Sequence, residues 1–227
     1  MDKKLFARYA IREAMGLVIT GIALFWPAGR VDWWQAWAVL AVIAAWIAAT
    51  ALVIVRTNPD LLKERLGPRK GAKRWDTAIM SLMGLLQLGR YILAGFDHRN
   101  GWTGDFPAAA QITALAAGAL GYAVVVWATA SNAYFSQIVR IQRERSQTVV
   151  SHGPYRSVRH PAYSGAILYE LAVPVLLGSW WAMIPSVLNV VLLLLRTALE
   201  DRALQAELPG YQDYSGRVQS RLIPGLW

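Results

Sequence analysis

The sequence contains no cysteine, and only 16% of its 227 residues are charged. The absence of cysteine excludes disulfides, cysteine-ligated zinc or iron–sulfur centres and a thiol nucleophile. A soluble domain usually has about a quarter charged residues. The low charge and a hydrophobic content of 56% therefore indicate a membrane protein. Histidine is also scarce, and its three scattered copies do not form a metal site.

The apolar residues are gathered into stretches of roughly the length that crosses a hydrocarbon core of about 30 Å as a helix. We therefore predict an all-α fold, a polytopic membrane helix bundle of about six transmembrane helices in one domain, residues 1–227. The first apolar stretch has no small-residue cleavage site after it and is predicted to remain as the first helix. Short surface helices are expected within 56–76 and 200–215. The predicted spans lie near 11–27, 33–55, 77–96, 108–130, 162–177 and 182–199.

The net charge of +9 could indicate either nucleic-acid binding or loops that face anionic lipids. Twenty of the 23 Lys and Arg residues lie in four segments: the chain through Arg12, and residues 56–76, 131–161 and 196–227. Arg30 and Arg99 alone lie in the intervening turns. This positive-inside asymmetry predicts that both termini are cytoplasmic, and it explains the charge without nucleic acid. Arg90 lies within the third span, and we expect its side chain to extend toward the outer interface.

The segment 151–165 has the unusual sequence SHGPYRSVRHPAYSG. Each proline favours an extended residue before it and removes an amide donor, so the segment is predicted to be a shaped loop entering the fifth span. Pro161 suits the first turn of a helix. The amides of Ala162, Tyr163 and Ser164 would then form an anion site at the helix N-terminus. An interfacial loop that contacts lipid phosphates is the alternative interpretation of the same residues.

Several polar residues lie in or beside the last two spans. Arg196 and Glu200 are four residues apart and share a helix face, either as a simple ion pair or as substrate- and cofactor-binding groups. Glu170 follows Tyr163 by seven residues, on the same face and about 10 Å deeper. A carboxylate there is costly unless it is hydrogen-bonded or faces a cavity, so Glu170 is either a neutral acid or a base beside a substrate passage. Asn189 is expected to bond between helices.

Three parts of the last third of the chain resemble one family of membrane methyltransferases. This family includes isoprenylcysteine carboxyl methyltransferase and phosphatidylethanolamine N-methyltransferase, and its motif is GxY…RHPxYxG. The family also has an arginine followed by paired acids, usually two glutamates, where this chain has Glu200 and Asp201. The resemblance covers Val149–Trp227, with 1–148 as a helical scaffold, and weaker matches upstream indicate a bacterial branch. The matching residues are Gly153-Pro154-Tyr155-Arg156, Arg159-His160-Pro161-Ala162-Tyr163, Gly165, Arg196, Tyr211, Tyr214 and Arg221-Leu222-Ile223-Pro224.

The resemblance implies a methyltransferase that uses S-adenosylmethionine and releases S-adenosylhomocysteine, with its cofactor pocket at the cytoplasmic interface of a bacterial inner membrane. The acceptor does not follow from the resemblance, because the eukaryotic members have additional N-terminal helices. We expect a lipid or lipidated small molecule from the inner leaflet, first a prenyl-cysteine-like carboxylate and second a phospholipid amine. An NADPH-dependent membrane reductase and a non-enzymatic scaffold are the alternatives from other classes. The candidate catalytic residues are Arg196 and Glu200, from the resemblance, and Glu170, from its position within a span. The implied cofactor-binding residues are Gly153, Tyr155, Arg159, His160, Pro161, Tyr163, Gly165, Glu200 and Asp201.

Overall fold

A computed structural model describes residues 3–66 and 71–227, and within them the chain forms eight α-helices and no β-strand. Residues 67–70 of the predicted polar stretch 56–76 lie outside the described residues. Two short 3₁₀ turns, Arg143–Arg145 and Gly153–Arg156, interrupt the connection before the sixth helix. The helices are α1 (Lys3–Ala28), α2 (Trp34–Thr57), α3 (Asp60–Leu66), α4 (Arg74–Asn100), α5 (Ala108–Ser131), α6 (Pro161–Leu177), α7 (Trp180–Glu207) and α8 (Tyr211–Arg217).

The predicted membrane helix bundle is confirmed. Among the described residues, five helices are long and apolar enough to cross a membrane: α1, α2, α4, α5 and α7. The predicted fifth span, α6, is apolar but has 17 residues, slightly fewer than the roughly 20 that a perpendicular crossing needs. One predicted surface helix is present as α3. The other, expected within 200–215, is only partly matched by α8, because residues 200–207 continue α7.

Observed helices extend beyond several predicted spans, because polar residues at a membrane boundary can continue a helix without entering lipid. α4 continues to Asn100, so His98 and Arg99 lie in its last turn and not in the expected loop. α7 continues to Glu207, which extends it three turns beyond Arg196. This extension carries the acidic residues Glu200 and Asp201 on a helix surface.

Residues remote in sequence bring the polar segments together at one end of the bundle. The Arg12 guanidinium donates to the Arg65 carbonyl, which joins the start of α1 to α3. Asn58 donates to the Ala133 carbonyl at 2.7 Å. Lys73 pairs with Glu207. The N-terminal region, the α2–α4 connection, the α5–α6 connection and the end of α7 therefore share one end, which is the end predicted to be positively charged.

Helices α5 and α6 approach each other closely. Their backbones meet at Gly121 and Gly165, where a Cβ atom added to Gly121 would lie 2.5 Å from the Gly165 carbonyl oxygen. A Cβ atom on Gly165 would meet the Gly121 carbonyl oxygen in the same way. Small residues allow such contacts between membrane helices. The crossing fixes the start of α6, and with it the loop that precedes this helix, against α5.

The expectation that Arg90 extends outward is wrong. Its side chain is fully buried, and Nη1 lies 2.6 Å from the Glu170 carboxylate on α6. A charge within the membrane is stable when a counterion on a neighbouring helix compensates it, and Glu170 supplies that counterion. Asn189 of α7 donates to the same carboxylate at 3.2 Å, which is the interhelical bond predicted for it. Glu170 is therefore an ion-paired residue of the bundle interior.

Candidate functional site

A cavity of about 430 Å³ opens where the polar segments meet. Its volume is within the range of small-molecule sites. Its walls come from α2, α4, α5, α6 and α7 and from the connection between α5 and α6. The structure thus brings the motif-bearing loop and the acidic end of α7 to one cavity. Of the predicted site residues, those that line it are Tyr155, Arg159, His160, Tyr163, Arg196 and Glu200.

Arg196 is held by two groups that lie far from it in sequence. Its Nε donates to Asp76 at 2.7 Å, and its Nη2 donates to the Gln137 carbonyl at 2.9 Å. The guanidinium carbon lies 5.2 Å from the centre of the Tyr163 ring, a cation–π contact. Its Nη1 donates to no group in the part of the chain that the structure describes. The arginine is therefore fixed and charged, with donor capacity remaining at the cavity.

Glu200 is bonded by Tyr163 and does not form the simple ion pair with Arg196. The Tyr163 hydroxyl donates to Glu200 Oε2 at 2.5 Å. The other carboxylate oxygen accepts no hydrogen bond from the described residues. The imidazole of His160 lies parallel to the Tyr163 ring, with 5.7 Å between centroids. This part of the cavity therefore offers a hydrogen-bond acceptor beside two flat rings.

Asp201 does not line the cavity, in contrast to its predicted role in cofactor binding. Its side chain is enclosed, and Arg159 donates to both carboxylate oxygens at 2.8 and 2.9 Å. Tyr211 and Arg221 donate to it at 2.9 and 3.0 Å. The Gln205 side-chain amide also donates to it at 3.0 Å, and the His160 Nε2 atom lies 3.3 Å from it. A carboxylate has about four acceptor positions, and these partners occupy them. Burial disfavours the Arg159 cation, but its bonds to Asp201 outweigh this and keep the pKa of Arg159 above its usual value.

The segment after α8 shapes the motif loop through backbone contacts. The amide of Arg159 donates to the Ser220 carbonyl at 3.0 Å, and the amide of His160 donates to the Arg221 carbonyl at 2.9 Å. The Tyr214 hydroxyl donates to the Tyr155 carbonyl at 2.7 Å, and burial raises the pKa of Tyr214 to about 12. The loop is therefore held against residues 214–221 by hydrogen bonds.

Two of the three amides expected to form an anion site at the start of α6 are already hydrogen-bonded within the chain. The amides of Tyr163 and Ser164 both donate to the His160 carbonyl, at 3.0 and 3.3 Å. They are satisfied within the first turn of the helix and are not free for a ligand. Pro161, as predicted, occupies the first position of this helix.

The two motif glycines and Pro161 have structural positions outside the cavity lining. Gly153 has a φ of 59°, and the Ser131 side chain occupies the space that its Cβ atom would need. Gly165 forms the crossing with α5. These residues therefore position the loop and α6, and the side chains between them reach the cavity.

Sequence reasoning did not identify Asp76 as a member of the site. Asp76 is fully buried, and besides Arg196 it accepts the Val139 amide at 2.8 Å. The available signal was a single carboxylate at the start of a span on the positively charged side. Asp76 joins α4, α7 and the α5–α6 connection around the cavity.

The first part of the α5–α6 connection, residues 132–150, was also not assigned to the site, although many of its residues line the cavity. Glu64 of α3 anchors it by accepting two bonds from Arg140, at 2.9 and 2.6 Å. The hydrogen bonds from Arg140 hold the pKa of Glu64 below its usual value. The connection covers the cavity as a fixed segment.

The cavity has a polar side and an apolar side. The polar side contains Arg196, Glu200, His160 and Arg159. The apolar side extends into the bundle and was not predicted, because its residues are ordinary span residues in the sequence. The apolar lining includes Trp46, Met80, Met83, Val125, Ala166 and Leu193. The arrangement suits a polar molecule and an apolar chain that meet near Arg196.

Comparison with known proteins supports the resemblance noted in the sequence. Residues 112–206 match the model of the isoprenylcysteine carboxyl methyltransferase (ICMT) family. This range includes the motif loop, α6, Arg196 and Glu200. The predicted resemblance to this family is confirmed for that part of the chain.

Three curated proteins are similar over short regions. Two proteins of Oryza sativa, subspecies indica and japonica, named "Probable protein-S-isoprenylcysteine O-methyltransferase", are each 37% identical over 43 residues. The match covers 19% of this chain and 22% of each relative. "Uncharacterized protein YpbQ" of Bacillus subtilis (strain 168) is 41% identical over 58 residues, 25% of this chain and 34% of that protein. The chain thus spans about a fifth to a third of the length of these relatives.

Proposed function

We propose that the protein transfers a methyl group from S-adenosylmethionine to the carboxylate of a lipid or lipidated small molecule, with a prenyl-cysteine-like acceptor as the first choice. The observation that carries the proposal is the fixed Arg196 with remaining donor capacity, placed between the Tyr163–Glu200 pair and the apolar side of one cavity. The family match over 112–206 and the name of the rice relatives support the same reaction class.

The polar side has groups that fit the cofactor. Glu200 Oε1 would accept from the ribose hydroxyls or the amino group, as a charge-assisted acceptor. The rings of Tyr163 and His160 would contact the adenine or the sulfonium cation. When bound, S-adenosylmethionine supplies a methyl group on positively charged sulfur. Asp201 lies behind this surface and holds Arg159, so its proposed role is to position the lining residues.

Arg196 is the proposed orienting group for the acceptor. A carboxylate at Nη1 would form a charge-assisted hydrogen bond, and it needs no base because it is ionised at neutral pH. Holding the acceptor oxygen about 3–3.5 Å from the methyl group accounts for much of the expected acceleration. A phospholipid amine would bring a cation toward Arg196 and would also need a base. The predicted base Glu170 is in the ion pair with Arg90 and outside the cavity lining, so we do not propose it for this role.

The membrane setting follows from the charge distribution. The positive-inside rule places the polar end of the bundle in the cytoplasm, where the soluble cofactor is available. The acceptor would enter the apolar side from the inner leaflet. We propose the inner membrane of a bacterium as the location, with the cavity opening to the cytoplasm.

The first test measures ligand binding by the detergent-purified protein. S-adenosylhomocysteine should raise the melting temperature, and NADPH should not. Stabilisation by NADPH alone would favour a reductase, and stabilisation by neither would favour a scaffold. Either result would contradict the proposal.

The second test measures methyl transfer from labelled S-adenosylmethionine to N-acetyl-S-farnesylcysteine. The expected product is a base-labile ester. Arg196→Ala should abolish ester formation, whereas Arg202→Ala, an exposed arginine on the same helix, should retain it. If the label is recovered in phospholipid headgroups and no ester forms, the acceptor is a phospholipid amine and the proposed carboxylate acceptor is wrong.

A further inference from the structure

A second hollow of about 310 Å³ lies beside the cavity. It opens on the bundle surface between α1 and α4, where Gly16, Ile19 and Gly84 are exposed. We call it the lateral groove. Trp46, Gln87 and Tyr122 line both the lateral groove and the cavity. These three residues therefore form a shared wall that separates two hollows.

The shared wall is built on a stack of three aromatic rings from three helices. The rings of Trp46 on α2 and Tyr122 on α5 are 4.7 Å apart and 17° from parallel. The ring of Tyr169 on α6 lies 3.9 Å from that of Tyr122, at 20°. Stacking fixes the orientation of the Trp46 and Tyr122 rings, so the wall has a defined surface.

The Arg90–Glu170 ion pair supports this stack from behind. The Tyr169 and Tyr91 hydroxyls are 3.3 Å apart, and Arg90 Nη2 donates to Tyr91 at 3.1 Å. The Arg90 guanidinium also lies 5.7 Å from the centre of the Tyr169 ring. Moving Tyr169 would disturb a buried charge pair, which is costly. The ion pair therefore makes Tyr169 a fixed support for Tyr122.

The depth of the wall places it across the path of an acceptor chain. Trp46 lies eleven residues before Thr57, the end of α2, which corresponds to about 16 Å along the helix. Tyr122 lies nine residues before Ser131, about 14 Å from the end of α5. The hydrocarbon core is about 30 Å thick, so the wall is near its middle. A chain attached to a group at Arg196 and extending inward along the apolar lining reaches this wall.

We infer that the shared wall sets the maximum length of the apolar chain that the protein accepts, and that Trp46 and Tyr122 are its specificity-determining residues. The inference rests on the proposed function, since it assumes that the acceptor binds with its polar group at Arg196. A chain that ends before the wall fits the cavity. A longer chain is rejected, and removal of a wall ring would join the cavity to the lateral groove and admit it.

The test uses three acceptors that differ only in chain length: the S-geranyl, S-farnesyl and S-geranylgeranyl forms of N-acetylcysteine. Thermal stabilisation by each acceptor is measured in the presence of S-adenosylhomocysteine, together with kcat/KM for methylation. The unaltered protein should prefer a shorter chain to the longest by about tenfold or more, and Trp46→Ala should reduce that preference by about tenfold. Trp37→Ala, the same change near the start of the same helix, should leave the preference unaltered.

A second variant, Tyr122→Leu, tests the same wall if Trp46→Ala does not fold. An unaltered chain-length preference in both folded variants would overturn the inference, as would equal use of all three acceptors by the unaltered protein. Absence of stabilisation by any acceptor would overturn it as well. Stabilisation by S-adenosylhomocysteine and methylation of the preferred acceptor report separately on the proposed function, so the two failures are distinguishable.

Discussion

Two buried arginines in this bundle have similar partners and different surroundings. Arg90 pairs with Glu170 at 2.6 Å, and Arg196 pairs with Asp76 at 2.7 Å, each across two helices. Arg90 is enclosed by Glu170, Tyr91 and other side chains in the middle of the membrane. Both arginines have a nitrogen without a partner in the described chain, Nε in Arg90 and Nη1 in Arg196, but only Arg196 lines a cavity. The same ion-pair chemistry thus supports the scaffold in one place and offers a binding group in the other.

The largest expected effect follows from breaking the enclosed pair. Glu170→Ala leaves Arg90 charged and buried without a counterion, and the free energy of unfolding should fall by about 3–5 kcal/mol. Denaturant unfolding in detergent measures this change. The double variant Arg90→Met, Glu170→Leu should recover much of the loss, because it removes both charges. Equal destabilisation of the single and double variants would contradict the compensation of Arg90 by Glu170.

The corresponding change at the cavity should alter function more than stability. Asp76→Asn removes the charge that orients Arg196, and hydrogen bonds to charged groups contribute about 1.5–3 kcal/mol. Because water in the cavity can solvate Arg196, we expect stability to decrease less than in Glu170→Ala. The KM for the acceptor should rise while the affinity for S-adenosylhomocysteine changes little. Asp213→Asn, on α8 and outside the cavity lining, is the control, and a parallel loss of both affinities would contradict a role through Arg196 alone.

A smaller effect is expected when the bond to Glu200 is removed and the ring is kept. Tyr163→Phe retains the aromatic face and loses the hydroxyl that donates to Glu200. We expect S-adenosylhomocysteine binding, measured by calorimetry, to weaken by about 1–2 kcal/mol. Tyr163→Ala should weaken it further, because the ring is also lost. Equal affinities of Tyr163→Phe and Tyr163→Ala for S-adenosylhomocysteine would show that the ring does not contribute to binding.

The smallest effect concerns the anchor of the 132–150 segment. The pKa of Glu64 is below its usual value, so its bond to Arg140 contributes stability above the unfolded pKa of about 4.3. That contribution is lost as the pH falls through the lower folded pKa. Glu64→Gln should cost about 1 kcal/mol at neutral pH and flatten this acid-dependent loss of thermal stability. Glu144 is an exposed partner of the same arginine, so Glu144→Gln should lower the stability less. A larger loss in Glu144→Gln than in Glu64→Gln would contradict the role of Glu64 as the anchor.

Hydropathy and charge were sufficient to predict the helices, because lipid imposes length and composition on each span separately. The pairing of helices was not available from those patterns. Arg90 and Glu170 are 80 residues apart, and Asp76 and Arg196 are 120 apart, so no local spacing reveals that they meet. The position of Arg90 within a span, taken alone, favoured a side chain that extends to the interface. The side chain instead points into the bundle, because Glu170 on α6 supplies a counterion there.

The different positions of two predicted site residues follow from helix geometry. Glu200 and Asp201 are adjacent on α7, and adjacent side chains on an α-helix point about 100° apart. Both carboxylates are therefore not expected to face one narrow cavity. The structure directs Glu200 toward the cavity and Asp201 toward Arg159 and Arg221. The two adjacent acids on α7 therefore have different surroundings.

The crossing of α5 and α6 has a consequence for how this protein can diverge. At Gly121 and Gly165, an added methyl group meets the main chain of the opposite helix and not a side chain that could be exchanged. A substitution at another position changes a side chain and cannot remove a main-chain carbonyl group. A larger residue at either position therefore has no partner substitution that restores the fit, and both positions should stay glycine in any lineage that keeps this helix pair.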